Sequence, residues 1–267
     1  MHWTTFFENL WTDFEGIAPA AADIKTKLEA AGEIVVNDHV AFRTFDRAPI
    51  ALQDLQPHIL AMGYAILEDY DFPEKKLHAR AYVHPDATAP RVFVSELLVD
   101  QCSAGLRDVV DGLVAQLRPD AAANPDVFWS GRPWAPIPYA TWEALAAESE
   151  YAAWLCALGF RANHFTVSIN HLSSALGDVE SVLQRVERYG HRVNASGGRV
   201  KGTPAELLEQ GSTMADRLPL AFADREAVVP TCYYEFALRH PMSTGVLYPG
   251  FIAASADKIF ESTDALR

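Results

Sequence analysis

VVNDHVAFRTF, residues 35–45, alternates with a period of two: Val40, Phe42 and Thr44 fall on one side, His39, Ala41, Arg43 and Phe45 on the other. Successive side chains of an extended strand point to opposite faces, so this stretch predicts a strand with one apolar face and one face carrying a histidine and an arginine. Working forward from it, residues 49–62 read as a helix, with Pro49 in its first turn and Gly63 at its end. Residues 64–67, 77–83 and 92–99 read as strands separated by Pro, Asp and Lys clusters. The order is strand, helix, strand, strand, strand.

The same order begins again after Gly159. NHFTVSIN, residues 163–170, alternates with Phe165, Val167 and Ile169 opposite His164, Thr166, Ser168 and Asn170. A helix over 176–189 follows, closed by Gly190, then a short strand at 191–194. Residues 203–223 are ambiguous: Thr203-Pro204 before Glu206 looks like a helix start, while 218–222 could pair in a sheet. Residues 231–239 alternate cleanly, with Tyr233, Glu235 and Ala237 opposite Cys232, Tyr234, Phe236 and Leu238. Two copies of one βαβββ unit are therefore expected, a repeat of pattern and not of sequence. Ahead of them, Phe6, Phe7, Leu10, Trp11 and Phe14 recur at helical spacing, as do Ile24, Leu28 and Ala31 before Gly32. Residues 103–117 and 139–158 predict helices between the copies. The expected fold class is α+β, with paired βαβββ modules curling into a partial barrel. The expected layout is one metal-binding domain over 1–267: helices at 1–34, a first module at 35–100, a helical connection at 101–160, and a second module with the C-terminal segment at 161–267.

Composition narrows the function classes. With 49% hydrophobic residues the 267-residue chain can bury a sizeable core. A net charge of -13 argues against nucleic acid or anionic membranes as partners, because nothing would neutralise phosphates over a wide surface. A small anionic substrate needs only one or two placed arginines and stays open. Cys102, Cys156 and Cys232 are odd in number and lack CxxC spacing, which points away from disulfides and thiolate metal sites and towards a reducing cytoplasm. The acidic start of the chain shows neither a signal peptide nor a membrane span. No phosphate loop, nucleophile elbow or HExxH motif is present.

Of nine histidines, His39 and His164 stand out, each on the first strand of its copy and on the side facing the inside of a curved sheet. Glu235 lies in the last strand of the second copy, where alternation puts it on one face with Tyr233 and Ala237. Two imidazoles and one carboxylate make the facial triad suited to Fe(II), leaving open positions for substrate and oxygen. Arg43 shares a face with His39 four residues on, about 13 Å along a strand. It would suit the far carboxylate of a ligand acidic at both ends; the plainer reading is an ion pair with Asp38 or Asp46. Glu96, read as the counterpart of Glu235 in the first copy, would complete a four-ligand site for Zn²⁺ or Ni²⁺ and a non-redox isomerisation of glyoxalase type. His78 and His84 are weaker spare candidates, and Gln210 and Ser212 either orient a substrate or cap a helix end.

The segments NDHVAFRTF (37–45), NHFTVSIN (163–170), YYEFALR (233–239) and GFIAASADKIFEST (250–263) together resemble the 2-oxoadipate dioxygenase/decarboxylase family, formerly a domain of unknown function. The resemblance runs from about residue 35 to the C-terminus. It implies a vicinal-oxygen-chelate-like core and one Fe(II) held by His39, His164 and Glu235, with Arg43 as the substrate arginine. It further implies conversion of 2-oxoadipate and O₂ to 2-hydroxyglutarate and CO₂, late in lysine breakdown. Two rivals stay open at this level: a glyoxalase-type metal lyase or isomerase, and a non-catalytic small-molecule-binding protein of the same fold. Oligomeric state is not legible.

Overall fold

The computed structural model describes residues 1–252 and 260–263. Two N-terminal helices, α1 (Trp3–Ile17) and α2 (Pro19–Ala30), precede the first module. That module is β1 (Asn37–Phe45), α3 (Leu52–Ala61), β2 (Ala65–Phe72), β3 (Leu77–Val83) and β4 (Arg91–Leu97). Helices α4 (Ala104–Val114), α5 (Tyr139–Glu148) and α6 (Glu150–Leu158) connect it to the second. There, β5 (Ala162–Ser168) and α7 (Val179–Arg188) lead to β6 (Lys201–Thr203), β7 (Leu208–Ser212), β8 (Arg217–Ala221), β9 (Glu226–Pro230) and β10 (Tyr233–Arg239).

Eight strands form one sheet in the order β2-β3-β4-β1-β5-β10-β7-β6, so the two modules join antiparallel through β1 and β5. Each first strand also pairs in parallel with the last strand of its own module, β1 with β4 and β5 with β10. The two halves thus repeat one pairing scheme, the vicinal-oxygen-chelate-like arrangement expected from the alternating segments. The remaining strands, β8 and β9, pair with each other as a hairpin inserted before β10. This resolves the ambiguous stretch: residues 208–212 and 217–221 are strand, and only 204–206 turn helically.

Other boundaries differ for local reasons. Ser149 adopts an extended conformation and splits the expected long helix into α5 and α6; its hydroxyl caps the second by accepting from the Ala152 N–H. Residues 191–194 contribute only an isolated bridge from Val193 to Thr213. Helix α3 starts at Leu52, two residues beyond the turn that holds Pro49 and Ile50.

The core fills the convex side of the sheet. Phe6, Phe7 and Phe14 of α1 pack edge-on or tilted against Phe42, Phe128 and Phe165, all buried. At the other end α7 presses so closely on β7 that a Cβ at Gly211 would sit 2.8 Å from Val179 and 2.9 Å from Leu183. That approach holds the flanking Gln210 and Ser212 in place on the concave side.

Candidate metal centre

The pleat of β1 sends His39, Ala41 and Arg43 to the concave face, and that of β5 sends His164 and Thr166 there. In the sheet register Ala41 lies opposite His164, Tyr233 beside His164, Glu235 beside Thr166, and Ser212 across from Glu235. Three residues distant in sequence therefore meet. The Nε2 atoms of His39 and His164 are 3.4 Å apart, and the Glu235 oxygens lie 3.4 Å from one and 3.5 Å from the other. All three side chains are buried, and among the described residues they form the one group of three or more His, Cys, Asp or Glu with ligand atoms all within 4.8 Å of each other.

What surrounds the triad dictates how its donors point. Asp38 Oδ1 lies 2.7 Å from His39 Nδ1, and Asn163 Oδ1 lies 3.2 Å from His164 Nδ1. An oxygen acceptor at Nδ1 keeps the ring proton there and leaves the Nε2 lone pair aimed inward. Two such lone pairs facing each other, with a carboxylate beside them, repel unless a cation or proton lies between. Glu235 Oε1 accepts from Gln210 Nε2 at 2.6 Å, whereas Oε2 makes no hydrogen bond. The separations suit a cation bonded to each donor at roughly 2.0–2.2 Å. The residues present fit a metal.

The electrostatics agree. Burial alone would drive the His39 imidazolium to a lower pKa, but the Glu235 charge and the Asp38 hydrogen bond outweigh it and raise the value. His164 has no charged acceptor behind it; burial pushes it down to about 3, with the charges of His39 and Arg43 acting the same way. Burial would raise Glu235, and the two histidines with the Gln210 hydrogen bond lower it instead. Asp38 is also buried, yet Arg239 and His39 hold its carboxyl well below the usual carboxylate range.

Arg43 is buried on the same face, but its partner is neither Asp38 nor Asp46. Its guanidinium meets Glu150 at 3.3 Å and donates to Thr263 Oγ1 at 3.0 Å, stacked near the rings of Tyr151 and Trp154. Asp38 instead receives two 2.7 Å hydrogen bonds from Arg239. Gln210 and Ser212 are strand residues, not a helix cap: Gln210 holds Glu235, and Ser212 meets Ser262 at 3.0 Å.

Glu96 does not belong to this centre. It lies opposite Thr44 in the β1–β4 register, five positions on from His39 and so on the other face. There its carboxylate accepts from the Leu52 N–H at 2.8 Å, supplying the helix cap that Ala51 cannot. Counting two residues on from each histidine, the first-module counterpart of Glu235 is Phe93. The fourth-ligand position of a symmetric site is therefore apolar, and Phe93 packs against Phe251, which in turn lies edge-on to His39. Glu96→Ala is expected to cost about 1 kcal/mol, the worth of a helix cap, and to leave metal content unchanged by elemental analysis. Loss of metal would return Glu96 to the ligand set. His78 and His84 also lie elsewhere, His78 with Asp71 on the surface and His84 against Tyr64. Of the resembling C-terminal segment, residues 253–259 lie outside the described residues.

A family model for 2-oxoadipate dioxygenase/decarboxylase matches residues 15–123 and 126–246. The chain belongs to that family. It is 36% identical over 261 residues to the chloroplastic 2-oxoadipate dioxygenase/decarboxylase of Arabidopsis thaliana, covering 85% of this chain and 67% of the relative. The crystal structure of the Oryza sativa hydroxyglutarate synthase in complex with 2-oxoadipate superposes with a TM-score of 0.89 at 31% identity, covering 97% of this chain and 91% of that one. A crystal structure of a Shewanella frigidimarina protein gives the same TM-score at 46% identity, covering 95% and 100% of the two chains.

Proposed function

We propose that this protein is an Fe(II)-dependent oxygenase that converts 2-oxoadipate and O₂ to 2-hydroxyglutarate and CO₂, acting in lysine breakdown. The observation that carries the reading is the buried convergence of two inward-facing imidazole lone pairs and one carboxylate, with Phe93 where a fourth ligand would stand. Three donors suit iron, which needs vacancies, and a fourth would suit the non-redox rival. Since the ligands come from both modules, the chain works as one metal-binding domain.

Iron bound by His39, His164 and Glu235 would supply the binding of the 2-oxo acid and oxygen and the redox chemistry between them. Asp38 and Asn163 hold the imidazoles in register, and Gln210 orients the carboxylate. Phe93 and Phe251 exclude water from the His39 side. Arg43 grips the distal carboxylate of the substrate, taking the place on its fork that Glu150 holds at 3.3 Å. Substrate plus O₂ balances product plus CO₂ atom for atom, so no external reductant enters. Among the described residues no helix is long and apolar enough to cross a membrane. The three cysteines are free and buried, in keeping with a reducing compartment such as the cytoplasm.

The test is reconstitution with Fe(II) under anaerobic conditions, then addition of oxygen and 2-oxoadipate. Stoichiometric CO₂ and 2-hydroxyglutarate are expected; neither appearing from iron-loaded protein rejects the reading. Arg43→Ala is expected to raise the KM for 2-oxoadipate by roughly thirtyfold or more, the cost of removing one partner of a buried charge pair, with iron content retained. If iron is lost as well, Arg43 is structural.

A further inference from the structure

Tyr233 opens β10 two residues before Glu235, on the same concave face. Its ring is buried and stacks on the His164 imidazole, with centroids 4.7 Å apart and planes 26° from parallel. Its hydroxyl has no hydrogen-bond partner among the described residues. A buried hydroxyl left unpaired is costly, and the neighbouring Tyr234 shows that position matters. Tyr234 is also unpaired, but it turns to the opposite face, where Trp11 and Phe236 surround it with apolar rings. Tyr233 instead shares the concave face with His164, Glu235 and Arg43.

The register says which end of the site it serves. In β10 the step from Glu235 back to Tyr233 follows β5 from Thr166 back to His164. In antiparallel β1 the same direction leads from Ala41, opposite His164, to Phe42, opposite Ala162, and so on to Arg43. Along that line the concave face of β1 and β4 carries Ala41 opposite Phe93 and then Arg43 opposite Ser95.

We infer that Tyr233 is a specificity-determining residue whose hydroxyl donates a hydrogen bond to the distal carboxylate of the substrate, sharing that group with Arg43. This rests on the proposed use of a 2-oxo dicarboxylate. It explains why an unpaired donor is kept beside a metal ligand: its partner arrives with the substrate.

The test is Tyr233→Phe in the full chain, loaded anaerobically with Fe(II) and titrated by calorimetry with 2-oxoadipate and with 2-oxohexanoate, the same chain lacking the distal carboxylate. The dissociation constant for 2-oxoadipate is expected to rise roughly tenfold or more, as for loss of a hydrogen bond to a charged group. That for 2-oxohexanoate should stay unchanged, as should the affinity of the metal-free variant for Fe(II). The melting temperature should equal or exceed that of the wild type, because the deleted hydroxyl has no partner among the described residues. Equal weakening of both ligands, or weakened iron binding alone, would reduce Tyr233 to packing against His164 and overturn the inference. An unchanged 2-oxoadipate constant would overturn it too. A wild-type chain that binds iron but not 2-oxoadipate would instead sink the functional reading, and this inference with it.

Discussion

Glu235→Gln is expected to leave the fold intact and remove the metal. The substitution keeps the shape of the side chain in a fully buried position, so circular dichroism and melting behaviour should change little. It deletes the single anionic donor of the group, leaving two neutral imidazoles 3.4 Å apart to hold a divalent cation by themselves. Without the ion the site loses several kcal/mol of electrostatic stabilisation, on the order of a thousandfold or more in rate. Metal per chain after desalting and turnover of 2-oxoadipate check this together. A variant that keeps both stoichiometric metal and wild-type turnover would remove Glu235 from the centre.

The largest stability effect is expected at Arg239. Its guanidinium is buried, donates twice to Asp38 at 2.7 Å, and also donates to the carbonyls of Tyr248 and Gly250 at 2.9 and 2.8 Å. One side chain thus neutralises the carboxylate behind His39 and ties down the segment that brings Phe251 over the same ring. Arg239→Ala would leave the Asp38 carboxylate buried, with His39 at 2.7 Å and Arg91 at 3.4 Å as its remaining basic neighbours among the described residues. Removing one member of a buried pair costs about 3–5 kcal/mol, roughly 5–10 °C in Tm for a chain of this size. Arg239→Lys should recover part of this, since an ammonium keeps the charge but loses the two-pronged geometry. Loss of metal affinity is expected alongside, because Asp38 is what keeps the His39 proton on Nδ1. Wild-type Tm and wild-type metal binding in Arg239→Ala would show that Asp38 needs no such partner.

The concave residues were legible because a strand sorts its side chains by parity. His39, Arg43, His164 and Glu235 could each be placed on a face from alternation alone, and the repeated strand order placed both histidines on equivalent strands. Parity also fails informatively at Glu96. An apolar strand with one carboxylate looks the same from either face, and only the β1–β4 register shows that Thr44, not Ala41, lies opposite it. Arg43 misled in the other direction. Nearby aspartates were the obvious partners, yet the observed one, Glu150, comes from a helix more than a hundred residues away.

Periodicity by itself determined the first βαβββ unit, the start and end of the second, and the inward parity of His39, His164 and Glu235, because these follow from local backbone geometry. Tertiary packing decided the rest. Asp38 is neutralised behind His39 by Arg239 from the far module, Gln210 reaches Glu235 through the register of β7 against β10, and the fourth-ligand position is Phe93 through the register of β1 against β4. Hydrogen bonds and ion pairs depend on distances between segments, and a linear pattern carries directions along one segment, not distances across two.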